Sequence, residues 1–130
     1  MFSISRLFGY AAIIVALGIC FGAFGAHALK YRLDEYSTSV YEKAVFYHLI
    51  HALGMLCVCL ASSAGFLSVN SAQKIYAILF AGIVFFSGSL YVLALSGMRW
   101  LGAITPIGGT LFIIAWLWLA FESVKNSGTH

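Results

Sequence analysis

Apolar positions in this chain gather into four long stretches, residues 7–26, 45–66, 75–95 and 102–121, none of which contains Asp, Glu, Lys or Arg. Each is about 20 residues, the length a helix needs to cross the ~30 Å hydrocarbon layer of a bilayer. Lipid offers no partner to a backbone N–H or C=O, so a crossing segment must close its own hydrogen bonds, as a helix does. The pattern predicts a single domain over residues 1–130, with helices at about 7–27, 41–66, 74–96 and 102–122. Short connections make successive helices antiparallel neighbours, so the expected fold is all-α: a four-helix transmembrane bundle running up-down-up-down.

Composition agrees with that solvent. Hydrophobic residues make up 62% of the chain and charged residues 8%, against about 25% charged in a soluble domain. The net charge of +3 is scattered over ends and loops, and no basic cluster suited to nucleic acid forms. Cys20, Cys57 and Cys59 all fall inside apolar stretches without ligand spacing and read as small apolar filler. The first stretch resembles a signal peptide in having Arg6 before it and Ala26-His27-Ala28 after it. It exceeds the 7–15 residues of a signal core, so a retained helix is expected.

The connection over residues 29–44 mixes Lys30, Arg32, Asp34, Glu35, Glu42 and Lys43 with Leu33, Tyr36, Val40 and Tyr41. That mixture predicts a short amphipathic segment at headgroup level. Ser39 and Glu42 stand at the spacing of a capping box, so the second helix is expected to begin near Val40. Basic residues divide three (Arg6, Lys74, Lys125) against four (Lys30, Arg32, Lys43, Arg99), a bias too slight to orient the chain by the positive-inside rule.

Inside the helices, small and polar residues are the informative ones. Gly18, Gly22 and Ala26 recur every four residues, with Gly25 beside them, a stripe that lets a second helix approach closely within the bundle or between protomers. Pro106 suits a helix start, and Gly108 and Gly109 follow it. Ser87, Gly88, Ser89 and Tyr91 lie deep in the third stretch; the tyrosine hydroxyl needs a partner there. His27, His48 and His51 would come to the same side of the membrane in an antiparallel hairpin, the arrangement a metal or haem site requires. The plainer reading, and the one expected here, is that they are interfacial rings bonded to carbonyls or water. His130 is terminal and carries no information.

Four segments in register resemble a known family: Gly22-Ala23-Phe24-Gly25-Ala26-His27, Tyr47 with His51-Ala52-Leu53, Phe86-Ser87-Gly88-Ser89-Leu90-Tyr91, and Leu101-Gly102 with Thr105-Pro106-Ile107-Gly108-Gly109. They are similar to the domain-of-unknown-function 423 family, which includes YgdD- and YwdK-like bacterial inner-membrane proteins and the eukaryotic transmembrane protein 256. The resemblance implies a small multi-pass protein of the bacterial inner membrane and no particular activity. His48 departs from the family pattern, where glutamine commonly follows the tyrosine, which weighs against a three-histidine metal site.

The leading expectation is a non-enzymatic bundle that binds a lipid, a small apolar ligand or a partner, with His27, His51, Ser87, Tyr91 and Thr105 as the polar lining of its pocket. Gly18, Gly22, Gly25, Gly88, Gly108 and Gly109 would serve helix packing, including association of copies. Membrane lipids are the expected partners, and no cofactor is expected. A small channel or transporter subunit is the alternative, and a metal or haem protein using His27, His48 and His51 the second. No nucleophile has a base and orienting carboxylate near it, so catalysis is not expected.

Overall fold

The computed structural model describes residues 2–128, all-helical with turns between the rods. Helix α1 runs Ile4–His27, α2 Glu35–Ser63, α3 Val69–Ile83, α4 Ser89–Ser96 and α5 Thr105–Ser127. A π-helical turn over Val84–Gly88 joins α3 to α4, so the two form one rod, Val69–Ser96. A 3-10 turn, Arg99–Ala103, precedes α5. Four rods are long and apolar enough to cross a membrane.

Two sets of contacts fix the up-down-up-down order. At one end the Arg99 guanidinium lies 4.7 Å from the centre of the Tyr36 ring, joining the 3-10 turn to the start of α2. At the other, Gln73 Nε2 donates to the Phe2 carbonyl at 2.8 Å and Asn126 Nδ2 to the Phe66 carbonyl at 3.0 Å. The two described chain ends thus meet the stretch from Phe66 to Gln73, where α2 gives way to α3. Helix α1 packs chiefly on α2, and α5 on α3 and the π turn. The main core is built around Met55, Val58, Ile75 and Leu79, all fully buried. A second core, around Tyr41, Ala44, Leu90 and Leu93, fills the end nearer the first connection.

The helix boundaries depart from the sequence expectation in definite ways. There is no separate interfacial segment over 29–44, because α2 already starts at Glu35. The cap is Asp34, whose Oδ1 accepts from the Ser37 amide at 2.7 Å. Asp is a strong N-cap and Glu35 complements the helix dipole, so this start prevails over the Ser39–Glu42 box. That amide bond also holds the Asp34 carboxyl below its ordinary pKa. The amphipathic residues become the first turns of α2: Tyr36 stays exposed while Val40, Tyr41 and Ala44 are buried. The far end of α2 stops at Ser63 because Gly65 adopts φ +84°. The Phe66 amide then reaches the Ala61 carbonyl and the Gly65 amide that of Ser62, a Schellman closure. Ser68 caps α3 and accepts from the Ser71 amide at 3.1 Å, so the helix starts at Val69 rather than at about 74. The fourth helix starts at Thr105, behind the 3-10 turn, with Pro106 in its first turn.

Candidate functional site

Helix α1 carries a pattern of sevens. The Tyr76 hydroxyl donates to the Leu7 carbonyl at 2.8 Å, His48 Nε2 to the Ile14 carbonyl at 2.8 Å, and the Tyr41 hydroxyl to the Phe21 carbonyl at 2.5 Å. Each carbonyl is already the acceptor of an α-helical amide, and a side chain four residues onward would normally cover it, because helical side chains lean toward the N-terminus. Those positions hold Ala11, Gly18 and Gly25. A Cβ on Gly18 would meet Leu49 Cδ2 at 2.6 Å and His48 Cδ2 at 3.3 Å; one on Gly25 would meet Tyr41 Cε1 at 2.2 Å. The small residue at each step therefore uncovers the carbonyl that the neighbouring helix uses.

His48 sits at the centre of this seam. A carbonyl only accepts, so Nε2 carries the proton. In the neutral ring Nδ1 is then the acceptor for the Tyr91 hydroxyl at 2.9 Å. Phe21 and Tyr41 stand edge-on to Tyr91 at 5.1 and 5.4 Å. Toward α5, His51 Nδ1 donates to the Tyr47 carbonyl at 2.8 Å, and the ring stacks on Phe112 with centroids 3.4 Å apart. Ser87, fully buried in the π turn, donates to the Ala44 carbonyl at 2.7 Å. Ser89 and Thr105 bond to each other at 2.8 Å. Among the described residues the one buried side-chain oxygen without a partner is Ser62 Oγ.

The five residues expected to line one pocket are thus distributed. Tyr91 belongs to the α1 seam, His51 to the α2–α5 seam, Ser87 to the π turn and Thr105 to the start of α5, while His27 is exposed at the end of α1. The histidine trio does not converge either: His48 turns to α1 and His51 to α5. Among the described residues no group of three His, Cys, Asp or Glu is placed to share a metal ion. Among the glycines, Gly108 is pressed against backbone, since a Cβ there would lie 2.3 Å from the Phe86 nitrogen. Gly22 meets Val45 at 3.2 Å, Gly109 has ordinary contact with Phe86 at 3.7 Å, and Gly88 has only the Ile83 carbonyl at 4.0 Å. Sequence reading missed Gly54 and Gly82, which admit Trp116 and Phe112 of α5. It also missed Tyr41 and Tyr76, although the seven-residue recurrence of Ala11, Gly18 and Gly25 was there to be counted.

Two clefts flank α1. One, of about 330 Å3, lies between α1 and α2 at the first-connection end; Gly22, Gly25, Val45 and Leu49 line its apolar part, and Lys30 and Glu42 line it as well. The other, of about 510 Å3, lies between α1 and α3 near the N-terminus, lined by Leu7, Tyr10, Ile14, Tyr76 and Phe80 with Lys74.

The family model described as "Protein of unknown function (DUF423)" matches residues 21–109. That span holds the capped start of α2, His48 with Tyr91, and the glycine entry to α5. The chain belongs to this family. A UPF0382 membrane protein of Staphylococcus epidermidis is 49% identical over 117 residues, 90% of this chain and 93% of the relative. One from Staphylococcus haemolyticus is 47% identical over 117 residues, with the same two shares. UPF0382 membrane protein YwdK of Bacillus subtilis is 42% identical over 116 residues, 88% of this chain and 92% of that one. No solved structure matches. The chain is, like these relatives, a membrane protein of an uncharacterised family, and its own four spans make it multi-pass.

Proposed function

We propose that this protein is a non-enzymatic lipid-binding bundle whose site is the cleft between α1 and α2. The observation that carries the reading is the pairing of an apolar, glycine-floored cleft with two opposite charges on its lining, Lys30 and Glu42. Among the described residues neither charge forms an ion pair; Lys30 Nζ lies 5.5 Å from the centre of the Tyr31 ring. An acyl chain satisfies the apolar part. A zwitterionic headgroup satisfies the rest, its phosphate toward Lys30 and its ammonium toward Glu42, as charge complementarity favours. His48, Tyr91, Ser87, Ser89 and Thr105, deeper in the bundle, have protein partners and serve its architecture.

Native mass spectrometry of the full chain, released from nanodiscs of equal phosphatidylethanolamine and phosphatidylglycerol, tests this. One retained phosphatidylethanolamine per chain is expected, with loss of the preference in Lys30→Gln/Glu42→Gln. Release of bare protein, or equal retention of both lipids, contradicts the reading.

A further inference from the structure

The α2–α5 seam holds a second feature, independent of the lipid cleft. His51 is 5% exposed and lies in the middle of α2, eight residues beyond Lys43, about 12 Å along the helix axis. Its Nδ1 is committed as a donor to the Tyr47 carbonyl, so in the neutral ring Nε2 is a bare acceptor. Among the described residues Nε2 has no hydrogen-bond partner, yet it is not sealed away from the surface. An acceptor at hydrocarbon depth without a partner is unfavourable, and an ionisable side chain at that depth marks a functional site by default.

The surroundings narrow what can fill it. Tyr47, His51 and Phe112 present three nearly parallel rings, with interplanar angles of 7° and 12°. Phe86 lies 4.4 Å from Tyr47, and Trp116 lies 5.9 Å from His51, centroid to centroid. The Tyr47 hydroxyl and Trp116 Nε1 also have no hydrogen-bond partner among the described residues, and both side chains are more than a third exposed. The seam therefore offers one acceptor, two donors and aromatic faces together along the contact of α2 with α5. From this set we infer that the seam binds the ring of a lipid-soluble quinol: one ring hydroxyl donates to His51 Nε2, the second oxygen accepts from Tyr47 or Trp116, and the flat ring packs against the aromatic side chains. An aliphatic alcohol would use the acceptor but not the aromatic faces, and a simple hydrocarbon neither.

The test uses the full chain in nanodiscs and reads quenching of tryptophan emission, with Trp116→Phe locating the signal. The probes are a decyl-substituted hydroquinone kept reduced and its dimethyl ether, which keeps the ring and tail but cannot donate. The hydroquinone is expected to bind about tenfold more tightly than the ether, the value of one well-made hydrogen bond. His51→Phe is expected to keep the stacking and erase the difference. Equal affinity of the two probes, a difference that survives His51→Phe, or no quenching by either probe overturns the inference. The comparison between probes is made on the unaltered chain, so it decides even if the variant fails to fold.

Discussion

Gly25 of α1 and Tyr41 of α2 claim the same space: a Cβ on the glycine would fall 2.2 Å from the tyrosine Cε1. The ring so admitted carries its hydroxyl to the Phe21 carbonyl. Gly25→Ala should therefore push the ring outward, break that bond and destabilise the bundle by about 1–3 kcal/mol, the usual range for overpacking. Gly9→Ala, where nothing lies within 4 Å, should be neutral or slightly stabilising. Unfolding in mixed micelles compares the two, and equal effects would refute the assignment.

The three seam bonds should be modest individually. Tyr76→Phe removes one donor and leaves the Leu7 carbonyl with its helical amide, so a loss of about 0.6 kcal/mol is expected, as for side-chain bonds between membrane helices. His48→Phe should cost more, about 1–3 kcal/mol, because it also strands the Tyr91 hydroxyl inside the bundle. Equilibrium unfolding of the two variants checks the order.

Neighbouring glycines in α5 should behave oppositely. Gly108→Ala drives a methyl group into the backbone of the π turn, which cannot yield as a side-chain tip does. A loss of about 3 kcal/mol or misassembly is expected. Gly109→Ala, with only ordinary contact to the Phe86 ring, should stay within about 0.5 kcal/mol of the parent. Thermal stability and monodispersity in detergent read both.

Ser62→Ala should be stabilising or neutral, since it deletes a buried hydroxyl that lacks a partner. A gain of up to about 1 kcal/mol is expected from removing that desolvation penalty. A clear loss in an unfolding titration would show that the hydroxyl is bonded after all.

Asp34 gives the pH dependence. Its folded carboxyl sits below the ordinary 3.8 because the charged form accepts from Ser37. A depressed folded value means that the capping contribution is complete above the unfolded pKa and is lost as pH falls through the folded one. Protection of the first amides of α2 against hydrogen exchange should therefore hold down to about pH 4 and fall below it. Asp34→Ala should show the reduced protection at every pH.

The four rods were legible because a bilayer makes hydropathy and length nearly sufficient. The ends were less so: Asp34 and Ser39 both offer caps, and sequence alone does not say which amides need one. The π turn over Val84–Gly88 was hidden in an uninterrupted apolar run; what distinguishes it is the fit of Gly108 against Phe86, a contact between distant positions. Among the site residues, the glycine stripe pointed to the right helix face, yet its working period is seven at Ala11, Gly18 and Gly25 rather than four. Of the histidines, His48 and His51 bond to backbone carbonyls, as the plainer reading of them expected. His48 and His51 are three residues apart, but α2 is central, so that spacing sends one ring to α1 and the other to α5.

The central claim is that α1 is fastened through its own carbonyls, and isotope-edited infrared spectroscopy addresses it directly. A 13C=18O label at Ile14 should absorb at lower frequency than the same label at Ile13, because it accepts a second hydrogen bond from His48. In His48→Phe the Ile14 band should rise to match Ile13. Matching bands in the parent protein, or an Ile14 band unmoved by the substitution, would contradict the account.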